Sequence, residues 1–457
     1  MRRLIYIFII GLLLCSYTWA DGSRYASKSL LSEGKWVKIR VDKTGIYKLS
    51  YADLKNMGFS DPSKVSVHGY GGWPLDEDFS KEYIDDVPST PVWRGSDYLL
   101  FYGKGPVKWE YDSSSQTFVH TNNPYSLYGY YFVTDATPTN DMTSVAQASG
   151  ATNRITTYDD YLVHEQELVS LAKSGRELYG EDFSGATPRT LSTFSSIPGI
   201  TNEDAKVTMS FVSKVTSGTG VASLSINQSN VLDVSIRSNR EEYVKALEGV
   251  STAVWKGEKS EKNSVVVSYN SASHNNVRLN YVRLHFKRTL QPYGAYTFFR
   301  SIASIGNVSR FVVQGANANT LVFDVTDAQR VRLMETELNG SELTFSIPAG
   351  TLREFVLVRT DQSFISPEVV GEVENQNLHA LEQKDMIIIA AKAFQTQAER
   401  LAEEHRATDG LTVEVVDPQS IYKEFSSGAP DATAYRRFMK MFYDRSVSAG
   451  NAPKYLL

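Results

Sequence analysis

The stretch KDMIIIAA (residues 384–391), with LTVEVV (residues 411–416) and YLL (residues 455–457) after it, decides the fold of the C-terminal part of this 457-residue chain. Such short apolar runs are typical of strands that are covered on both faces in a parallel sheet. Between the first two runs, apolar residues recur at helical spacing from Phe394, and Asp409-Gly410 is a helix stop. The order strand, helix, strand predicts a parallel sheet with right-handed crossovers.

Two further helices are predicted before the last run. Asp417-Pro418 supplies a cap and a first-turn proline for a short helix, and Asp431 can cap a longer one. The basic residues of the longer helix are predicted to face solvent; they are Arg436, Arg437, Lys440 and Arg445. Parallel sheets carry their ligands outside the carboxyl ends of their strands, and typical domains run to ~100–150 residues. We therefore expect residues 381–457 to be the truncated start of an α/β domain.

The chain before residue 381 is predicted to be mainly β. Short alternating runs between turn clusters indicate a β-rich domain over residues 21–150, a β-sandwich over residues 151–290 and a further β-rich domain with an extended connector over residues 291–380. Within the first domain, WVKIRV (residues 36–41) and IYKL (residues 46–49) are interpreted as a hairpin. The glycines of residues 65–73 are interpreted as turns and not as a phosphate loop, because no helix follows them.

The N-terminus has the composition of a signal peptide. Arg2-Arg3, a short apolar run and small residues precede Asp21. The apolar run of about eleven residues is too short for a transmembrane helix, which needs ~20. We expect residues 1–20 to be removed between Ala20 and Asp21, and with them Cys15, the only cysteine. The mature fragment then has neither a disulfide nor a thiol nucleophile.

Charge and spacing exclude several kinds of site. The formal net charge of -5 and the pI of about 5.9 give no electrostatic footprint for nucleic acid, so no nucleic-acid partner is expected. An acidic loop could bind calcium, but it lacks the ligand spacing of a calcium loop, and a solvated face is the favoured interpretation. Its acids are Asp76, Glu77, Asp78, Asp85 and Asp86. No metal and no cofactor are predicted.

Candidates for catalysis are also interpreted as structural. A helix is predicted over residues 164–173, where Ser170 and Lys173 match a serine-x-x-lysine pattern whose companion motifs are absent. Asp324 and Asp327 are interpreted as turn acids. No histidine has a partner at catalytic or metal spacing, and His405 is interpreted as a packed or interfacial ring.

Several segments resemble the gingipain-type cysteine peptidase family, C25. In the C-terminal part they are DMIII (385–389), VEVV (413–416), IYKEFSSG (421–428) and PKYLL (453–457). Upstream segments resemble the sortase branch of this family, which serves the type IX secretion system. They are GKWVKI (34–39), GIYKL (45–49), DYLLFY (97–102), GRELYGEDF (175–183), FDVTD (323–327) and NQNLH (375–379).

The resemblance implies a mainly β multidomain protein that ends in the start of a caspase-like α/β peptidase domain. That family uses a cysteine thiolate activated by a histidine, and both lie after the second crossover, beyond Leu457. No residue of this chain is therefore assigned a catalytic role, and the chain as written is expected to be inactive as a peptidase.

For the complete protein, the resemblance implies a cell-surface endopeptidase and transpeptidase. Its implied partners are secreted proteins with C-terminal sorting domains, outer-membrane proteins of the type IX attachment complex, and lipopolysaccharide as the acyl acceptor. The alternative is a non-catalytic cell-surface β-sandwich protein, such as an adhesin, because most of the chain is β and no catalytic set is visible. A histidine and a cysteine encoded beyond Leu457 favour the enzyme, and a stop codon there favours the binding protein.

We predict that the mature N-terminus is Asp21, because Thr18 and Ala20 are small residues that signal peptidase accepts three residues and one residue before the cut. Mass spectrometry of the exported protein measures this directly. A lipid-modified Cys15 at the N-terminus contradicts the prediction.

Overall fold

The computed structural model describes residues 24–171, 176–215, 217–238, 246–272, 274, 276–446 and 450–457. The regular secondary structure of the described residues is mostly strand, arranged in several sheets with few helices, so the mainly β prediction is confirmed. The predicted signal segment with Ala20 and Asp21 lies outside the described residues, as does Lys173. Within the described ranges, none of the helices is long and apolar enough to cross a membrane.

Strands and helices are numbered in chain order. The strands up to residue 190 are β1 (Trp36–Val41), β2 (Gly45–Ser50), β3 (Ser66–Gly71), β4 (Ser89–Thr90), β5 (Val92–Arg94), β6 (Tyr98–Gly103), β7 (Val107–Asp112), β8 (Thr117–Asn122), β9 (Gly129–Thr134), β10 (Ser144–Val145), β11 (Asn153–Ile155), β12 (Thr157–Glu165) and β13 (Arg189–Thr190). The next are β14 (Ala205–Ser213), β15 (Thr219–Ile226), β16 (Ser229–Arg237), β17 (Leu247–Trp255), β18 (Val265–Tyr269), β19 (Val277–Thr289), β20 (Tyr296–Arg300), β21 (Ser309–Val313), β22 (Thr320–Asp324), β23 (Arg332–Met334), β24 (Glu337–Asn339), β25 (Glu342–Ile347), β26 (Glu354–Arg359) and β27 (Glu368–Val373). The last strands are β28 (Met386–Ile389), β29 (Val413–Val416) and β30 (Tyr455–Leu456). The α-helices are α1 (Tyr51–Asn56), α2 (Gln395–Glu404), α3 (Pro418–Phe425) and α4 (Ala432–Arg445).

The first β region, which we define as β1–β9 together with β27, contains a five-stranded sheet in the order β27-β1-β9-β3-β4. The predicted hairpin between β1 and β2 is wrong, because β1 pairs with β27 and β9 whereas β2 pairs with β6 in a separate sheet. The chain crosses from one sheet to the other, so Ile39 of β1 and Leu49 of β2 share one core. Alternating apolar residues on two successive strands fit two facing sheets as well as they fit a hairpin.

Two other segments of this region differ from prediction. Residues 368–373, predicted as part of an extended connector, form β27, which lies antiparallel to β1 and gives its backbone groups partners. Residues 66–71, predicted as turns, form the fully buried strand β3. The glycines Gly69 and Gly71 have φ of 112° and 82° and lie where the register with β9 shifts, so they act in a strand irregularity.

The middle of the chain is built on a nine-stranded sheet in the order β10-β23-β22-β26-β20-β12-β19-β14-β17. Sheet β13-β18-β15-β16 packs on it around one apolar core, and sheet β11-β21-β25-β24 packs on it around a second. The helix predicted over residues 164–173 is wrong, because residues 157–165 pair with β19 as a strand and residues 166–171 are not helical. Strands from both sides of residue 290 bond within the large sheet, and the domain boundaries stay a prediction.

The C-terminal α/β region, residues 381–457, agrees with the predicted order. Strand β28 lies between β29 and β30, and both pairings are parallel. Helix α2 continues as a π-turn over His405–Asp409 and ends at Gly410 with φ 65°. Asp431 caps α4 by accepting from the Thr433 N–H. One basic residue was misplaced by the prediction, since Arg437 is 4% exposed and does not face solvent.

The loop after α3 holds the α/β region against the first β region. The Ser427 hydroxyl accepts from the Tyr70 N–H at 3.0 Å and donates to the Tyr130 carbonyl at 2.9 Å. The Lys38 ammonium donates to the Gly428 carbonyl at 2.6 Å. A Cβ at Gly69 would lie 2.5 Å from Ser427 Oγ and 3.3 Å from the Tyr130 oxygen. Glycine is therefore required at position 69 for this loop to approach β3.

We expect Gly69→Ala to destabilise the protein by about 1–3 kcal/mol more than Gly294→Ala, because an overpacked contact has that typical cost. Gly294 is the matched control: its φ of 102° is close to that of Gly69, but nothing lies within 4 Å of its Cβ position. Denaturant unfolding of the two variants measures the difference. Equal losses would mean that backbone strain alone acts at position 69.

Candidate functional site

A buried histidine joins the two regions. His379 is 1% exposed and lies on the 3₁₀ turn Leu378–Ala380, just before β28. Its Nδ1 lies 2.5 Å from Glu424 Oε2, and its Nε2 lies 3.0 Å from Asp85 Oδ1. The ring stacks on Phe425 at 4.7 Å between centroids. Since both partners are carboxylates, both ring nitrogens donate, and the ring bridges α3 and the loop before β4 as a cation.

The Glu424 carboxylate accepts several hydrogen bonds in this cluster. It is completely buried on α3, and its carboxylate accepts from the backbone N–H groups of Leu378 and His379 at 2.8 and 3.0 Å. The Gln376 side chain donates to the same carboxylate at 2.8 Å. A carboxylate is buried at acceptable cost only when its oxygens are bonded in this way.

The pKa values of the cluster favour a protonated His379 beside an ionised Asp85. Burial lowers the pKa of His379, but the hydrogen bonds and charges of Asp85 and Glu424 outweigh burial and raise it to about 9. Burial raises the pKa of Asp85, but the hydrogen bond from His379 outweighs it, and the net shift is downward. The neighbouring Asp86 accepts from Ser29 and Leu30, and burial raises its pKa to about 6.

The acidic loop is therefore divided into two parts. Asp76, Glu77 and Asp78 are exposed, as the solvated-face interpretation predicted. That interpretation is wrong for Asp86, which is 5% exposed, and for Asp85, which is half-buried against His379. Sequence spacing could not find this set, because His379 is separated by 294 residues from Asp85 and by 45 from Glu424. The only signal was the position of His379 at the end of the NQNLH segment.

A metal could be considered for this cluster, because Asp86, His379 and Glu424 bring ligand atoms within 4.8 Å of one another. A histidine ligand must offer a ring lone pair, however, and a bound proton competes with the metal. Both ring nitrogens of His379 are directed at carboxylates, and its pKa is raised to about 9. The arrangement fits an ion-pair cluster that fixes the two regions on each other.

The other predicted candidates lie apart from this cluster. Ser170 is half-buried in a non-helical segment, and its possible partner Lys173 is outside the described residues. His405 Nδ1 lies 2.6 Å from Asp409 Oδ2 at the surface. Asp324 is 2% exposed and pairs with Arg332 at 2.9 Å and with Arg353. Asp327 pairs with Arg330 at 2.6 Å. None of these groups forms a nucleophile and base pair with another.

The carboxyl ends of β28, β29 and β30 meet at one edge of the parallel sheet, where such sheets carry their ligands. Ala390 follows β28, Asp417 follows β29 and Leu457 follows β30. Because Cys15 is the only cysteine in the sequence, residues 24–457 hold no thiol at this edge or elsewhere. The described part of the chain forms three strands of such an edge and holds no thiol nucleophile.

Comparisons with known proteins agree with the C25 resemblance. A sequence profile of peptidase family C25 matches residues 379–457. The crystal structure of dimeric latent PorU from Porphyromonas gingivalis is similar with a TM-score of 0.87 and 33% sequence identity. The match covers 95% of this chain and 42% of the PorU chain, so this chain spans less than half of that protein. The insecticidal delta-endotoxin Cry8Ea1 from Bacillus thuringiensis matches at a TM-score of 0.20 and 9% identity over 54% of each chain, too weakly to carry an argument. A comparison with curated proteins gives no match.

We expect the stabilisation contributed by His379, measured as wild type minus His379→Gln, to fall by about 3 kcal/mol as the pH rises from about 6.5 to above 9, because the pKa of His379 is about 6.5 in the unfolded chain and about 9 in the folded protein. The raised pKa means that this stabilisation is fully present below 6.5 and is lost as the pH passes 9. Burial lowers the pKa of Lys38 and of Lys104 to about 8, and their opposite contribution to the slope cancels in the difference between the two proteins. Denaturant unfolding of both proteins at a series of pH values measures the difference.

The matched control is His405→Gln, which removes a half-buried histidine that lies apart from this cluster. Its difference from the wild type should not show this loss of about 3 kcal/mol. A difference between wild type and His379→Gln that is level from pH 6.5 to 9 would contradict the assignment of a buried cation at position 379.

Proposed function

We propose that this chain forms part of a cell-surface cysteine endopeptidase and transpeptidase. It belongs to peptidase family C25 through residues 379–457 and resembles PorU along nearly its whole length. The enzyme removes C-terminal sorting domains from type IX secreted proteins and attaches the trimmed proteins to lipopolysaccharide. The observation that carries the proposal is that the resemblance to PorU includes the β region ahead of the peptidase segment.

The chemistry follows from the family. A cysteine thiolate attacks the carbonyl carbon of the scissile peptide bond, and the amine of the sorting domain leaves with a proton from the paired histidine. The resulting thioester is then attacked by an amine of the acceptor, whose proton passes to the histidine while the C–S bond breaks, so that an amide forms and the thiolate and the protonated histidine are restored. Water must be kept from the thioester for the amine to succeed. The proposal places both catalytic residues beyond Leu457, and residues 24–457 supply the support.

Contacts between the regions favour an enzyme over the adhesin alternative. A binding protein with a remnant α/β end does not require specific contacts between the α/β region and the β region. In this chain Glu424 and Ser427 of the α/β region bond to segments of the first β region or to the turn that leads out of it. The Tyr25 hydroxyl also donates to Asp444 of α4 at 2.7 Å. Such contacts support a β region that orients the peptidase domain towards a protein substrate.

We expect deletion of the complete gene to leave secreted cargo with uncleaved sorting domains and without lipopolysaccharide, because the proposed enzyme both cuts and transfers. Immunoblots and mass spectrometry of cargo measure both properties, and a strain that carries the restored gene is the control. Cargo that is still trimmed and attached in the deletion strain would overturn the proposal. Normal trimming with a loss of surface adhesion would favour the adhesin.

A further inference from the structure

A crevice of about 510 Å³ lies between the first β region and helix α4, away from the carboxyl edge of the parallel sheet. Its wall includes the end of β3, the loop after it, the residue after β6 and one face of α4. We call it the basic crevice and define it by Tyr70, Trp73, Lys104 and Arg437. The His379 cluster lies outside this lining, and no step of the proposed peptidase chemistry uses the crevice.

Arg437 is the main feature of the basic crevice. It is 4% exposed, and its Nε and Nη1 are buried without a hydrogen-bond partner. Its guanidinium lies over the Tyr83 ring at 4.5 Å from the centroid. A guanidinium is a planar fork of donors that matches the two oxygens of a carboxylate, and it stays charged when buried. The fork is therefore held in place by an aromatic face while two of its donors are unused.

A second cation and two neutral donors accompany it. Lys104 is 7% exposed, and its ammonium lies 4.4 Å from the centroid of the Trp73 ring. Burial lowers the pKa of Lys104 to about 8, which leaves most of the population protonated at neutral pH. The Tyr70 hydroxyl and the Trp73 Nε1 are buried without a hydrogen-bond partner. Four side chains thus bring donors to one space.

The acids near the basic crevice are already engaged. At the mouth, three ion pairs occupy acids and bases together: Asp76 with Lys81 at 2.7 Å, Glu77 with Arg176 at 2.6 Å, and Glu110 with Lys108 at 2.7 Å. The exposed Glu82 also lies at the mouth. Asp431 is not part of the lining, but its charge acts on Arg437, and it accepts from the backbone N–H groups of Thr433 and Leu75 at 2.7 and 3.4 Å as the cap of α4.

We infer that the basic crevice binds a ligand through a carboxylate group attached to an apolar or aromatic body. A buried donor without a partner destabilises the folded protein, more so when it is charged, and an anion that accepts from it removes that cost. One edge of the Arg437 guanidinium, Nη2 together with either Nε or Nη1, takes both carboxylate oxygens, and the Lys104 ammonium balances the charge. The rings of Trp73 and Tyr83 and the side chain of Ile84 line the same space and cover the apolar body.

Benzoate is the probe, with benzamide as the neutral analogue of the same shape. In the mature protein at constant ionic strength in chloride, we expect benzoate to quench or shift tryptophan fluorescence saturably and to raise the Tm, while benzamide does neither. Arg437→Gln should weaken benzoate binding at least tenfold, and Lys104→Met should weaken it several-fold. The matched control is Arg436→Gln, which removes the same charge from the exposed neighbour and should leave binding within twofold.

Two further arms distinguish the source of the carboxylate. A short aromatic peptide with a free C-terminus and its C-terminal amide are compared with benzoate. Tighter binding of the peptide acid assigns the site to protein carboxylates, and tighter binding of benzoate assigns it to free organic acids. Both outcomes support the site.

Three results would overturn the inference. The first is an equal effect of benzoate and benzamide on the wild type, and the second is wild-type affinity for benzoate in Arg437→Gln. The third is a higher Tm of ligand-free Arg437→Gln than of the wild type, together with no response of the wild type to benzoate. The last result would identify Arg437 as a strained structural group satisfied by water. None of these measurements depends on peptidase activity, so the inference and the proposed function fail separately.

Discussion

The burial of the Glu424 carboxylate is the constraint on which the arrangement of this protein depends. A charge without access to water needs several donors, and in this protein they come from one short segment, residues 376–379. The same segment is tied to the N-terminal end of the first β region, because Asn377 accepts from the Ser29 N–H and Asn375 donates to the carbonyls of Leu31 and Gly34. One acid on α3 thereby fixes both the entry into the α/β region and its position on the sheet.

The close approach of the Ser427 loop to β3 is a second, steric requirement for the packing of the α/β region on the first β region. The Ser427 loop reaches β3 only because Gly69 has no side chain, and Ser427 itself is held at φ 53°. The ionic cluster and this loop contact the first β region at different places, so the α/β region has two separate attachments to it. The basic crevice lies beside the second attachment, and its lining contains Tyr70 of the first β region and Arg437 of the α/β region. A ligand there would contact both regions at once.

Local signals in the sequence predicted the α/β region well. The apolar runs, the Asp417-Pro418 start, the Asp431 cap and the Gly410 stop each depend on neighbours within a few residues, and each is where the pattern put it. The predictions that were wrong depend instead on contacts between segments that are distant in sequence. The β1–β2 hairpin, the helix at residues 164–173 and the connector all depend on which distant strand supplies the hydrogen bonds. Arg437 and Asp86 were assigned to solvent by charge alone, and only the packed structure reveals that they are covered.

The pairing of β1 with β27 has a consequence for the order of folding. Arg40 and Glu368 stand opposite each other across 328 residues of chain, so the outer edge of β1 has no partner until almost the whole β part has been synthesised. Contacts of such long range form slowly, and an unpaired strand edge invites pairing with other chains during the delay. The half-buried charges of Lys38 and Arg40 on β1 reduce that danger. Closure of this edge is then a late event, and the pairing of the first and last β segments is the step at which a chaperone has most to protect.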